Sequence, residues 1–97
     1  MIIKICGIQN KETLLCCEKN NIHFFGMIFY QKSPRNISLK KASILQKISD
    51  KLNINGVGVF VNKNINELQE IIINLNLKYV QLHGSEDELY IKALKKM

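Results

Sequence analysis

Three side chains able to move protons or grip a ligand sit where strands should give way to loops. Cys6 closes Lys4-Ile5-Cys6 and precedes Gly7; His83 follows Val80-Gln81-Leu82 and precedes Gly84. Alternation puts Ile2, Lys4 and Cys6 on one strand face, and Tyr79, Gln81 and His83 on one face of another. A half-exposed surface strand would alternate in the same way. A thiol and an imidazole just before a glycine turn point instead to an active-site rim, because parallel α/β sheets carry their chemistry at carboxyl-terminal strand ends. Cys6 can be nucleophile, general base or core thiol. A free thiol titrates near ~8.5 and needs help to act as a base near neutrality. Lys4 is a candidate helper, about 6–7 Å away along the strand. His83 can serve as acid, base or hydrogen-bond donor, or pack against a backbone carbonyl.

Arg35 is the third. It is the only arginine, beside the only proline, Pro34. In a chain otherwise committed to lysine, an arginine suggests a need for the planar fork that holds a carboxylate or phosphate through two hydrogen bonds. Its loop, Tyr30-Gln31-Lys32-Ser33-Pro34-Arg35, follows a strand and so reaches the same rim. A solvated loop charge is the plain alternative. His23 begins a strand at the opposite rim and reads as structural. Asn62 ends the third strand and reads as a helix cap before a ligand group.

These residues need a scaffold of strand–helix units. Ile2 to Cys6 is β-rich, and Asn10 to Asn20 is helical, with Leu14, Leu15 and Cys17 apolar. His23 to Tyr30 is a continuous apolar run, as in a strand covered on both faces. Ser38 should cap Leu39 to Asp50, where Ala42, Leu45 and Ile48 recur at helical spacing. Asn55 to Val61 is the third strand. Asn64-x-x-Glu67 resembles a capping box for Ile65 to Asn76. Lys78 to Leu82 is the fourth strand, and Ser85-x-x-Glu88 a second capping box for a helix running to the end. Four βα units in a row predict a parallel sheet with helices packed on it.

The 97 residues fit one small domain with no linker. No apolar run nears the ~20 residues that span a bilayer, and the amino terminus has no basic leader, so the expectation is a soluble cytoplasmic protein without a membrane partner. Net charge is +6, but the lysines are dispersed and no nucleic-acid motif accompanies them, so no nucleic-acid partner is expected. Cys6, Cys16 and Cys17 form no metal-ligand spacing. They imply a reduced compartment, with Cys16 and Cys17 as buried small hydrophobes.

Taken together, Lys4-Ile5-Cys6-Gly7-Ile8, Gly26-Met27-Ile28-Phe29-Tyr30 with Lys32-Ser33-Pro34-Arg35, Gly56-Val57-Gly58-Val59-Phe60-Val61-Asn62 and Val80-Gln81-Leu82-His83-Gly84 resemble the phosphoribosylanthranilate isomerases of tryptophan biosynthesis. The resemblance covers the whole chain, residues 1–97, and implies the amino-terminal half of a (β/α)₈ TIM barrel, its first four βα units. It implies an Amadori rearrangement of a phosphorylated small molecule, N-(5-phosphoribosyl)anthranilate, with no metal or organic cofactor. It assigns the catalytic base to Cys6, the substrate carboxylate to Arg35, and places His83, with Gln81 beside it, in the substrate pocket. The family's general acid and phosphate site belong to later strands. Asp87, at a helix start, is not that acid. The expectation is therefore a fragment, half of a split enzyme or a decayed gene product, inactive alone and prone to self-association or to pairing with a complementary carboxy-terminal half. The alternatives are another phosphate-binding TIM-barrel enzyme, or a non-catalytic half-barrel that only binds or assembles.

Overall fold

A computed structural model describes residues 3–95, so Ile2 and the last two residues, on which the first strand and the closing helix were also expected, lie outside the described residues. The element order is β1 (Lys4–Cys6), α1 (Lys11–Lys19), β2 (Phe24–Phe29), α2 (Leu39–Ser49), β3 (Asn55–Phe60), α3 (Ile65–Leu75), β4 (Tyr79–Leu82) and α4 (Glu88–Lys95). All four expected units are present, with ends displaced by a residue or two.

Local chemistry sets the helix starts. Asn10 caps α1 by accepting the Thr13 N–H at 2.8 Å. Ser38 caps α2 through the Lys41 N–H. Asn64 caps α3 through the N–H groups of Asn66 and Glu67. Each satisfies a donor that the first helical turn leaves unpaired. The last helix departs from expectation. Asp87, not Ser85, accepts the Tyr90 N–H, and Glu88 pairs instead with Lys92 along the helix. Asn76 ends α3 in the left-handed region, φ 53°, which asparagine tolerates better than most residues.

The strands are parallel and lie in chain order, β1-β2-β3-β4. The register aligns Cys6 with Gly26, Gly26 with Val57 and Val57 with Tyr79. Among the described residues, β1 and β4 each have one strand neighbour, so both are edges.

The two sheet faces differ. Phe25, Met27, Phe29 and Phe60 point to the helix layer and are buried with Leu14, Leu45, Leu68 and Leu75. Phe29 and Phe60 stack there, centroids 5.2 Å apart. The opposite face carries Cys6, Gly26, Ile28, Val57, Val59 and Gln81 by alternation along the paired strands. Its residues are not part of the helix-side cluster, yet Val57 and Val59 are buried there and no position of β2 is exposed. Phe24 and Tyr79 meet edge-to-face across β3 on this side, centroids 5.0 Å apart, yet Tyr79 stays 43% exposed. On α1, Leu14 and Cys17 are buried while Leu15 and Cys16 face outward, so only one of the paired cysteines is a core thiol. The apolar stripe of that helix is a single i, i+3 pair.

Candidate functional site

Cys6 ends β1 on the face opposite the helix layer and is half-buried. Two glycines give it room. Gly26, its ladder partner on β2, has no side chain; a Cβ there would lie 2.9 Å from the Cys6 Sγ. Gly7 follows with φ 80°, a conformation other residues rarely adopt. The N–H groups of Gly7 and Ile8 both donate to the Gly26 carbonyl, at 3.0 and 3.2 Å, which ties this turn to β2.

Arg35 crosses above that turn. A Cβ on Gly7 would lie 2.5 Å from the Arg35 Cδ and 3.4 Å from Nη1. The arginine stem therefore occupies space that only a glycine leaves open, directly after Cys6. Its loop is built to present it. The Ser33 Oγ accepts the Arg35 N–H at 3.1 Å, Asn36 N–H donates to the Ser33 carbonyl, and Ile37 N–H donates to the Ile28 carbonyl at 2.9 Å. Gln9 Nε2 reaches the Asn36 carbonyl at 3.2 Å, joining the loops after β1 and β2. Arg35 is exposed, and among the described residues the only ion pair is Lys92–Glu88. Its guanidinium is thus open to an incoming carboxylate or phosphate.

The other side of the rim belongs to β4. The His83 N–H donates to the Phe60 carbonyl at 2.8 Å, extending the ladder past Leu82. Its ring is exposed and lies 3.5 Å from the Gln81 amide nitrogen through Nδ1, so His83 is not a packed histidine held by a carbonyl. β1 and β4 are separated by three strand spacings, about 14 Å, wide enough to bracket a small molecule between Cys6–Arg35 and Gln81–His83. His23 lies at the opposite end, where its Nδ1 accepts the Ile3 N–H at 3.2 Å, as a structural residue should.

Asn62 corrects the sequence reading: Asn64 is the cap. Asn62 sits at φ 48°, and its Oδ1 accepts the Ser85 N–H at 2.6 Å across the gap between the loops after β3 and β4. Glu86 was not foreseen. Its two carboxylate oxygens accept the N–H groups of Asn62 and Gly84, each at 2.9 Å. Burial acts to raise the Glu86 pKa. The N–H groups of Glu86, Asn62 and Gly84, with His83 nearby, outweigh that and hold it below the ordinary carboxylate value. Gly26 was also passed over, although a glycine inside an apolar strand often marks a close approach.

The chain matches the family model described as N-(5'phosphoribosyl)anthranilate (PRA) isomerase over residues 3–97. The N-(5'-phosphoribosyl)anthranilate isomerase of Clostridium acetobutylicum is 40% identical over 95 residues, covering 96% of this chain and 44% of that protein. Monomers generated from the dimeric phosphoribosylanthranilate isomerase of Thermotoga maritima superpose with a TM-score of 0.87 at 35% identity, over 99% of this chain and 49% of that one. A phosphoribosyl anthranilate isomerase solved with reduced 1-(o-carboxyphenylamino)-1-deoxyribulose 5-phosphate gives 0.87 at 34%, over 99% and 50%. The chain thus spans about half the length of the relatives it matches, and its four units are a half-barrel of their fold.

Proposed function

The chain belongs to the N-(5'-phosphoribosyl)anthranilate isomerase family, and we propose that it supplies the amino-terminal half of such an isomerase, with the sheet face that carries Cys6 and Gln81 closed by a complementary carboxy-terminal half-barrel. The observation that carries this reading is the convergence of Cys6 and Arg35 around Gly7 at the carboxyl-terminal rim. The reaction is the Amadori rearrangement of N-(5-phosphoribosyl)anthranilate to 1-(2-carboxyphenylamino)-1-deoxyribulose 5-phosphate. A general acid from the complementary half protonates the ribose ring oxygen, and the C–O bond opens to an iminium. The Cys6 thiolate takes the proton from the adjacent carbon, and that electron pair forms the C=C bond of an enol-amine. Reprotonation gives the ketone, so no electrons enter or leave and no cofactor takes part.

Arg35 grips the anthranilate carboxylate, where its forked donors match two oxygens. Gln81 and His83 line the far side of the substrate. The phosphorylated ligand held by the solved relative supports a phosphorylated small molecule as substrate. Among the described residues no helix is long and apolar enough to cross a membrane, and the three thiols are unpaired, in keeping with a cytoplasmic site of action.

The test pairs residues 1–97 with the remaining half of the Clostridium acetobutylicum relative and follows loss of substrate fluorescence. Turnover by the pair, and none by residues 1–97 alone, is expected. A folded pair that binds but never turns over would leave this chain as an assembly module.

A further inference from the structure

Between the loops after β3 and β4 lies a hydrogen-bonded knot that the reaction above does not use. Glu86 Oε2 accepts the Asn62 N–H and Oε1 accepts the Gly84 N–H, both at 2.9 Å. Asn62 Oδ1 returns the link by accepting the Ser85 N–H. One carboxylate and one amide therefore join two loops 22 residues apart (Asn62 to Gly84) into a single piece. We propose that Glu86 is a positioning residue for His83, locking the loops after β3 and β4 so that the imidazole faces the substrate at a fixed point. The inference rests on the isomerase reading.

The placement of His83 is what makes the knot matter. Its own N–H is bonded to Phe60, and the next residue, Gly84, is bonded to Glu86. The backbone is thus held on both sides of an exposed side chain. Without Glu86 the Gly84 N–H would lose the carboxylate it donates to, and glycine has the widest conformational freedom of any residue. Asn62 has a similar dependence: its φ of 48° is a conformation that costs a non-glycine residue free energy, and the Glu86 bond to its N–H helps hold it there. The groups facing the carboxylate are His83 and Tyr90, with Lys63 and Asp87 lining the same cleft. Tyr90 lines that cleft and donates its hydroxyl to the Lys63 carbonyl at 2.6 Å. The lowered Glu86 pKa agrees with a carboxylate that stays charged and accepts from both loops.

Glu86→Gln is the direct test, made on the full 97-residue chain paired with its complementary half. The substituted amide can accept from one loop but offers a donor to the other N–H. Amide exchange at Asn62 and Gly84 should quicken about 10–100-fold, as expected for losing a charge-assisted bond, while the Phe25 to Phe29 amides keep their protection. kcat should fall about tenfold or more, with the alkylation rate of Cys6 unchanged; a structural role alone would lower stability without changing kcat of the folded protein. A parent pair that is active, with Glu86→Gln equally active, overturns the inference alone. An inactive parent pair overturns the isomerase reading beneath it. Should Glu86→Gln not fold, the unsubstituted protein still decides: the Asn62 and Gly84 amide shifts should titrate together with one midpoint below the ordinary glutamate value, and separate midpoints or static shifts would overturn the clamp.

Discussion

On the β1–β2 side of the rim, polar side chains are placed by space. Cys6 lies where Gly26 has no Cβ, and Arg35 lies where Gly7 has none. On the β3–β4 side they are placed by bonds: Asn62 and Glu86 stitch two loops through three backbone N–H groups. The contrast shows two ways to fix a side chain at a strand end. Steric vacancy suits a thiol that must stay free to take a proton and an arginine whose fork must stay open. Hydrogen bonding suits a loop that has to hold a histidine without burying it.

The strongest break in this comparison is removal of the thiol. In the paired enzyme, Cys6→Ala should lower kcat about 10²–10⁴-fold and leave KM nearly unchanged, because a general base acts on a proton in motion. Steady-state kinetics decide it. Cys16→Ala, on the outer face of α1, should change neither constant; equal damage from both substitutions would reassign the base.

Gly26→Ala comes next and sharpens the claim that space does the placing. The new Cβ would stand 2.9 Å from Sγ and 3.1 Å from the Cys6 Cα, so the thiol must move. A displacement of about 1 Å can cost about 10²-fold in rate. kcat should fall by that order, and Cys6 should alkylate at a different rate. Unchanged kinetics would mean the vacancy is incidental.

Arg35→Lys should raise KM for the carboxylated substrate about 10–100-fold, the effect of losing one charge-assisted contact of about 1.5–3 kcal/mol. Thermal unfolding should be little altered, since the guanidinium is exposed. Equal KM values would return Arg35 to the role of a loop charge.

The smallest effect separates the two sides by pH. The Glu86 pKa is lowered in the folded chain, chiefly against burial and by way of three N–H groups. Its contribution to stability is complete above the ordinary glutamate value, about 4.3, and is lost as pH falls through the lowered folded value. Acidification should therefore loosen the Gly84 amide, which Glu86 holds, before the Ile8 amide, because the turn after Cys6 is held by backbone bonds to Gly26 with no carboxylate. Exchange rates measured down a pH series would show whether the two loosen together.

The sequence carried the βα units because each rests on local chemistry: Ser38 and Asn64 are caps wherever they precede an apolar helical stripe. It also carried Cys6, Arg35, Gln81 and His83 to one rim, since each ends or follows a strand. It misassigned Ser85 because its N–H is taken up by Asn62, leaving Asp87 to cap α4. It placed Cys16 inside because a run of Leu14, Leu15, Cys16 and Cys17 gives no sign of which way α1 rolls. Glu86 had no legible signal at all. Its partners are backbone N–H groups, one of them 24 residues away, and every non-proline residue offers the same group.

The strand order has a consequence for how the chain comes to be folded. Each strand pairs with the one made just before it: Lys4 with Phe24, Phe24 with Asn55, Val57 with Tyr79. Every pairing therefore closes within one βα unit, and none waits for a distant segment. A ribosome adding about 5–20 residues per second would deliver each new strand within seconds of the edge it joins, so the sheet can grow in one direction as the chain emerges, with its newest strand always the next template.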